Sequence, residues 1–332
     1  MSLIDSHCHL DSADFDADRD EVIARALDAG VEHMVAIGTG NGPPDLEAGI
    51  RIAEKYPPFY ATAGIHPHDA AKAGEADLAR LEQLMKHPKV IAVGEIGLDY
   101  HYDFSPRDTQ KSVFIEQMAI AARDHGYEYI GITDHSQSLK IARGVSVEDL
   151  RKQIRFIDKL NGRLNGIRIL KSAEVDILAD GSLDYPDDLL RELDYTVCSV
   201  HSRFAFGKSQ QTERILRAMD NRYFNILGHA TGRLLLKRPG YELDIERIIE
   251  HAKQTGCFFE INSSPERLDL SAENARLAHE AGVLIAVSTD AHSTREFGTV
   301  RYGIDQARRA GLDKKSVLNC LAWKDLRPMF RR

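Results

Sequence analysis

The sequence predicts an α/β protein of the TIM-like (β/α) barrel type. Three observations carry that reading. Apolar strand-like runs recur roughly every 30 residues along the 332-residue chain, each followed by a segment with helical apolar spacing. The runs are rich in Val, Ile and Ala without strict alternation, as in parallel strands buried on both faces. One after another, they end on a histidine or a carboxylate. Alternating β and α segments build right-handed βαβ units. Ten runs are counted against eight in a standard barrel, so an enlarged, open or distorted ring is expected.

The first run, Leu3–Leu10 (LIDSHCHL), reads as a short buried strand. Residues i and i+2 of a strand share a face, so His7 and His9 can aim at one point, as two ligands of one metal do, with two satisfied core histidines the competing reading. Cys8 then faces the packing side. The other runs are 33–39, 59–66, 90–99 (VIAVGEIGLD), 127–135, 167–177, 195–201, 225–230, 257–262 and 283–292. Between them, Val22, Ile23, Ala26 and Leu27 form one apolar helical stripe. Leu150, Ile154, Ile157 and Leu160 form another, capped by Ser146. Gly30 and Gly126 stand where a helix hands over to a strand, the position that favours a left-handed residue.

In a parallel barrel the active site lies at the C-terminal ends of the strands. Standing there are His7 and His9, Thr39, His66 and His68, Glu95, Asp134 and His135, Glu174 and Asp176, His201, His229, Glu260 or Asn262, and Asp290 with His292. Chance would place one or two such groups, not one on nearly every strand. The pattern points to a polynuclear site. Mixed imidazole and carboxylate ligands suit two or three divalent ions, Zn²⁺, Mn²⁺ or Fe²⁺, with Mg²⁺ at the carboxylate-rich end. Asp134 and Asp176 are expected to hold ligand imidazoles. Arg203 and Arg233 follow strand ends and are candidates for gripping a phosphate, with a surface salt bridge the competing role. Lys208, Lys237 and Arg238 are weaker candidates for a nucleic-acid backbone.

The net charge of −8 argues against a protein that coats nucleic acid non-specifically. An enzyme working on nucleic-acid ends is still compatible, because bound cations supply local positive charge. No apolar run approaches membrane-spanning length and the N-terminus carries no signal-like pattern, so no membrane partner is expected. Cys8, Cys198, Cys257 and Cys320 are far apart and form no CxxC pair. Buried reduced thiols and a cytoplasmic setting follow.

Two resemblances overlay these residues. The stretch from Leu3 to about Ala122 resembles the TatD-type metal-dependent deoxyribonucleases through DSHCHLD, GIHPH at Gly64–His68, GEIGLDY at Gly94–Tyr100 and the helix Asp108–Gln117. That family implies a (β/α)8 hydrolase barrel in which His7 and His9 bind one metal, Glu95 bridges two and His66 lies near the substrate phosphate. From about Gly126 onward the chain resembles the PHP domain of bacterial family X DNA polymerases through GITDHS, SAEVDI, SVHSRF, GHATGRLL, EINSSPERLDL and STDAHS. That resemblance implies a (β/α)7 barrel with a trinuclear centre held by His135, Glu174, His201, His229, Asp290 and His292. The TatD-like part stops after four strands, and the PHP-like part lacks its own His-x-His strand. The chain therefore reads as a chimera, 1–124 TatD-like and 125–332 PHP-like, expected to form one continuous α/β unit.

The resemblances imply a metal-dependent phosphoesterase, a 3′–5′ exonuclease or phosphodiesterase acting on DNA ends through a metal-activated hydroxide. Glu95, Asp290, His66 and Arg203 are the expected catalytic groups. The competing expectations are a small-substrate phosphomonoesterase of the histidinol-phosphatase kind and a recombined metal-binding scaffold without activity.

Overall fold

The computed structural model describes residues 3–39, 42–43, 45–124, 126–140, 144–292 and 294–330. His125, at the expected junction, lies outside them. All ten strands are present: β1 (Leu3–Cys8), β2 (Val31–Ala36), β3 (Phe59–Ala63), β4 (Val90–Val93), β5 (Tyr129–His135), β6 (Arg168–Asp176), β7 (Tyr195–Ser199), β8 (Ile226–Leu227), β9 (Phe258–Asn262) and β10 (Ile285–Ser288). Several end earlier than their apolar runs. The run at 90–99 is strand only to Val93, so Glu95 sits in the loop beyond.

Two compact units result, Met1–Tyr127 and Glu128–Arg332. The first holds a four-stranded sheet in the order β1-β2-β3-β4, the second a six-stranded sheet in the order β10-β9-β8-β7-β6-β5. Every strand pairing is parallel. Neighbours in sequence are neighbours in the sheet, as in the wall of a TIM-like barrel. Among the described residues each is an open parallel sheet.

In the first unit Met34, Phe59, Ile65 and Leu81 are completely buried between sheet and helices. In the second, Val175, Phe224, Phe259 and Ile285 do the same. Each such side chain contributes roughly 1.5–3 kcal/mol of burial. The helix Val147–Asn161 buries Leu150, Ile154, Ile157 and Leu160, and Ser146 Oγ caps it by accepting the Asp149 N–H at 3.1 Å. Gly30 and Gly126 adopt φ +93° and +80° at helix ends, the conformation their positions predicted.

Three expectations need correction. β1 is not buried: Leu3 is 49% and Ile4 62% exposed, and His7 and His9 are exposed too. β1 is an edge strand with only β2 beside it, so its apolar side chains meet no second neighbour. Burial on both faces holds for β3, β6 and β9 but not for β1 or for Ile91 on β4. The thiols are all free, yet only Cys198 and Cys257 are buried; Cys320 is exposed. Among the described residues no helix is long and apolar enough to cross a membrane.

Candidate metal centres

In the second unit the centre is built around one carboxylate. Glu174 and Asp176 stand two apart on β6, so both face the same side. Glu174 Oε1 lies 2.9 Å from His229 Nε2 and 3.3 Å from His201 Nε2. Its Oε2 lies 3.1 Å from His135 Nδ1, out of line for a hydrogen bond. Three imidazoles delivered by β5, β7 and β8 thus surround a single buried acid. Asp176 turns one of them, its Oδ1 lying 2.5 Å from His201 Nδ1. Gly228 makes the approach of His229 feasible, since a Cβ there would sit 2.4 Å from Ser199 Oγ.

The charges are strongly coupled. Burial alone would raise the pKa of Glu174, but hydrogen bonds with His201 and His229 overcome it and hold the carboxyl well below its usual range. Burial likewise opposes a proton on His201, yet Asp176 and Glu174 outweigh it and lift the imidazole to about 9. His229 is raised as well: burial lowers it, but its hydrogen bond to Glu174 and the charge of that carboxylate outweigh burial. His135 goes the other way, lowered by burial despite Glu174.

Further acids brace the rim. Glu260 on β9 accepts the His229 N–H at 2.7 Å and the Ser288 hydroxyl at 2.6 Å. Its burial pushes its own pKa up to about 7. Asn262 Nδ2 donates to Asp290 Oδ2 at 3.0 Å. His229, Asp290 and Arg203 have φ of +24°, +52° and +58°. Left-handed backbone at non-glycine residues costs on the order of 1–3 kcal/mol each and gathers where side chains must be aimed. The His292 ring lies 6.2 Å from that of His135 and is mostly exposed, at the edge of the group.

Other expected residues are placed elsewhere. Asp134 is exposed and accepts from Gln153 Nε2 at 2.8 Å; it holds no ligand imidazole. It precedes His135 on β5, so it faces the opposite side. Arg233 turns to backbone carbonyls: its Nε donates to Arg267 O at 2.9 Å and its Nη2 to Leu268 O. Lys237 pairs with Glu266, Arg238 lies 4.2 Å over the Phe204 ring, and Lys208 lies 3.8 Å from Asp244. Arg203 follows His201 on the exposed loop. Arg267, which sequence reasoning missed, has its Nε 3.7 Å from Asp290 Oδ2 and is half-buried at the rim. Its signal, PERLDL after a strand end, was in the sequence, but the direction of the loop was not.

The first unit carries its own group. His7 Nε2 and His9 Nε2 are 3.2 Å apart, and one ligand atom each of His7, His9 and Glu95 lie within 4.8 Å of one another. His66 Nδ1 accepts the His68 N–H at 3.2 Å. Burial, then His68, lowers the His66 pKa. His68 pairs with Asp99.

Both groups fit divalent cations. His135, Glu174 and His201 form a second set of ligand atoms within 4.8 Å, and the buried His229 Nδ1 has no hydrogen-bond partner. Imidazole nitrogens facing one another around a carboxylate are a donor set of the borderline kind that transition metals and zinc prefer.

Residues 4–127 match the TatD related DNase family. The 3′-5′ ssDNA/RNA exonuclease TatD of Cronobacter turicensis is 41% identical over 120 residues, 36% of this chain and 45% of that one. A probable phosphatase of a Thermoanaerobacter species is 33% identical over 216 residues, 62% of this chain and 83% of its own. The chain belongs to the metal-dependent hydrolases. It joins a TatD-type unit to a PHP-type unit of the kind found in family X polymerases. The DNA polymerase/3′-5′ exonuclease PolX of Bacillus subtilis is 38% identical over 276 residues, 82% of this chain and 47% of that protein. The chain thus spans about half the length of the PolX and TatD relatives.

Proposed function

We propose that this hydrolase cleaves phosphodiesters at DNA 3′ ends, and that it does so in the cytoplasm. The observation that carries the reading is the Glu174 carboxylate ringed by His135, His201 and His229. Divalent ions, two or three in number, would supply an activated water and charge for the phosphoryl oxygens. In the PHP-type unit Glu174, His135, His201, His229, Asp290 and His292 would hold them. In the TatD-type unit His7, His9 and Glu95 would do so. Asp176 fixes the His201 tautomer, Asn262 fixes Asp290, and Glu260 pins the His229 backbone. His66 offers its ring to the substrate phosphate beside Glu95. Arg203 and Arg267 supply planar donors to the phosphoryl oxygens. Arg267 Nε lies 3.7 Å from Asp290 Oδ2, beyond hydrogen-bond distance, so its guanidinium keeps donors for the substrate.

Metal analysis with three substrates tests this. Cleavage of bis-p-nitrophenyl phosphate and of a 3′-labelled oligonucleotide in Mn²⁺, Zn²⁺ or Mg²⁺ is the expected result. Turnover of p-nitrophenyl phosphate alone would make the chain a small-substrate phosphomonoesterase, as the phosphatase relative's name suggests. Stoichiometric metal without turnover would make it a scaffold. Arg267→Ala is expected to raise KM for the diester about tenfold with bound metal unchanged, and Arg267→Lys to recover part of the loss. Unchanged KM would remove Arg267 from the substrate site.

A further inference from the structure

The loop after β4 carries more than Glu95. Leu98, Tyr102 and Phe104 on it are 45%, 59% and 65% exposed. Exposed apolar side chains on a loose loop would mean little, but this loop is firmly held. The completely buried Gln110 accepts the Asp99 N–H at 2.7 Å through its side-chain oxygen. Its Nε2 donates to Asp99 O at 2.8 Å and to Ser105 O at 2.9 Å. Buried Ser105 donates to His68 O at 2.7 Å and accepts the Ala71 N–H at 2.9 Å. On that frame the Tyr102 and Phe104 rings lie parallel, 2° apart in plane with centroids at 5.5 Å. The His68 ring meets both edge-on, at 5.6 Å and 4.8 Å, and stands 4.4 Å from the His66 ring. His66 follows β3 and Glu95 follows β4, and these two strands are paired at their ends through Ala63 and Val93. A rigid aromatic shelf therefore runs out from the His7, His9 and Glu95 group.

The geometry points to a stacking platform for an unpaired nucleobase of single-stranded DNA, placed beside the TatD-type centre. Parallel exposed rings offer π-faces, every base has one, and stacking of this kind needs no particular sequence. The tyrosine hydroxyl and the His68 ring give the shelf a polar margin that the sugar-phosphate chain can follow. The inference rests on the reading of the chain as a nuclease but is tested apart from it.

Binding is measured on the full chain in EDTA, where no hydrolysis occurs. The probes are a fluorescein-labelled dT10 and an abasic strand with the same number of phosphates. The wild-type protein is expected to prefer dT10. Tyr102→Ala with Phe104→Ala should weaken dT10 binding about tenfold or more and leave the abasic strand unaffected, erasing the preference. Tyr102→Phe should keep it. Both positions are exposed, so the variants should fold, and an unchanged melting temperature checks that. A wild-type protein without base preference, or alanine variants that bind dT10 as tightly as wild type, would overturn the shelf. A strand that binds with the expected preference but is not cut once metal is restored would overturn the nuclease reading and leave the shelf standing.

Discussion

Glu174→Ala is expected to strip metal from the PHP-type centre and to lower phosphodiester turnover at least about a hundredfold. The reason is geometric. One buried carboxylate offers oxygens to His135, His201 and His229 at 3.3 Å or less, so no other side chain can take over its place. The loss should also reach the fold. Removing one member of a buried ionic group costs about 3–5 kcal/mol, because the partners are left uncompensated. Glu174→Gln separates the two effects. It keeps volume and hydrogen-bonding shape but carries no charge, so it should fold better than the alanine variant while binding the cations no better. Metal per chain, measured by inductively coupled plasma mass spectrometry, and turnover of bis-p-nitrophenyl phosphate are the readouts. Glu95→Ala provides the comparison: it should lower the metal content through the TatD-type group and leave the pH behaviour of His201 unchanged. A Glu174→Ala protein with wild-type metal and turnover would remove this residue from the centre.

Much of both groups was legible in the sequence because strand periodicity aims side chains. His7 and His9 share a face two residues apart, and so do Glu174 and Asp176. The same rule, applied one step further, would have excluded Asp134. It adjoins His135, so if the histidine faces the cluster the aspartate cannot. What periodicity does not give is which strand lies at an edge. Leu3 and Ile4 read as core because apolar strands usually are; their exposure follows from pairing, a long-range fact. Loop direction is equally hidden. Arg233 and Arg267 both follow strand ends, yet one spends its guanidinium on the other's loop and only the second reaches Asp290. Those choices depend on where residues 260 to 290 meet.

Metal-free protein is expected to lose stability as pH rises from about 6.5 to 9, by on the order of 3 kcal/mol. The sign follows from His201. Its imidazole, at an ordinary value of 6.5 in the unfolded chain, is lifted in the fold to about 9 against the opposing effect of burial, by Asp176 and Glu174. Below 6.5 both states hold the proton and the contribution is complete; through 9 the folded state gives it up and the contribution is gone. Glu260 acts in the same direction at lower pH. Burial raises it from 4.5 to about 7, so its ionisation already taxes the fold across that interval. Glu174 has the opposite sign: with its pKa depressed, its stabilisation is present above the ordinary carboxylate range and is lost only in acid. Thermal melts in EDTA at pH 6.5 and pH 9 should therefore differ by about 5–10 °C, lower at pH 9. Asp176→Asn should flatten the slope, because the acid that holds the His201 proton is gone. Saturating Mn²⁺ should flatten it too, since a cation and a proton compete for the same imidazole nitrogen. Melting temperatures that stay level or rise between pH 6.5 and pH 9 in EDTA would mean that the Glu174 group holds its histidines neutral, and that the attraction seen among these side chains is not electrostatic in origin.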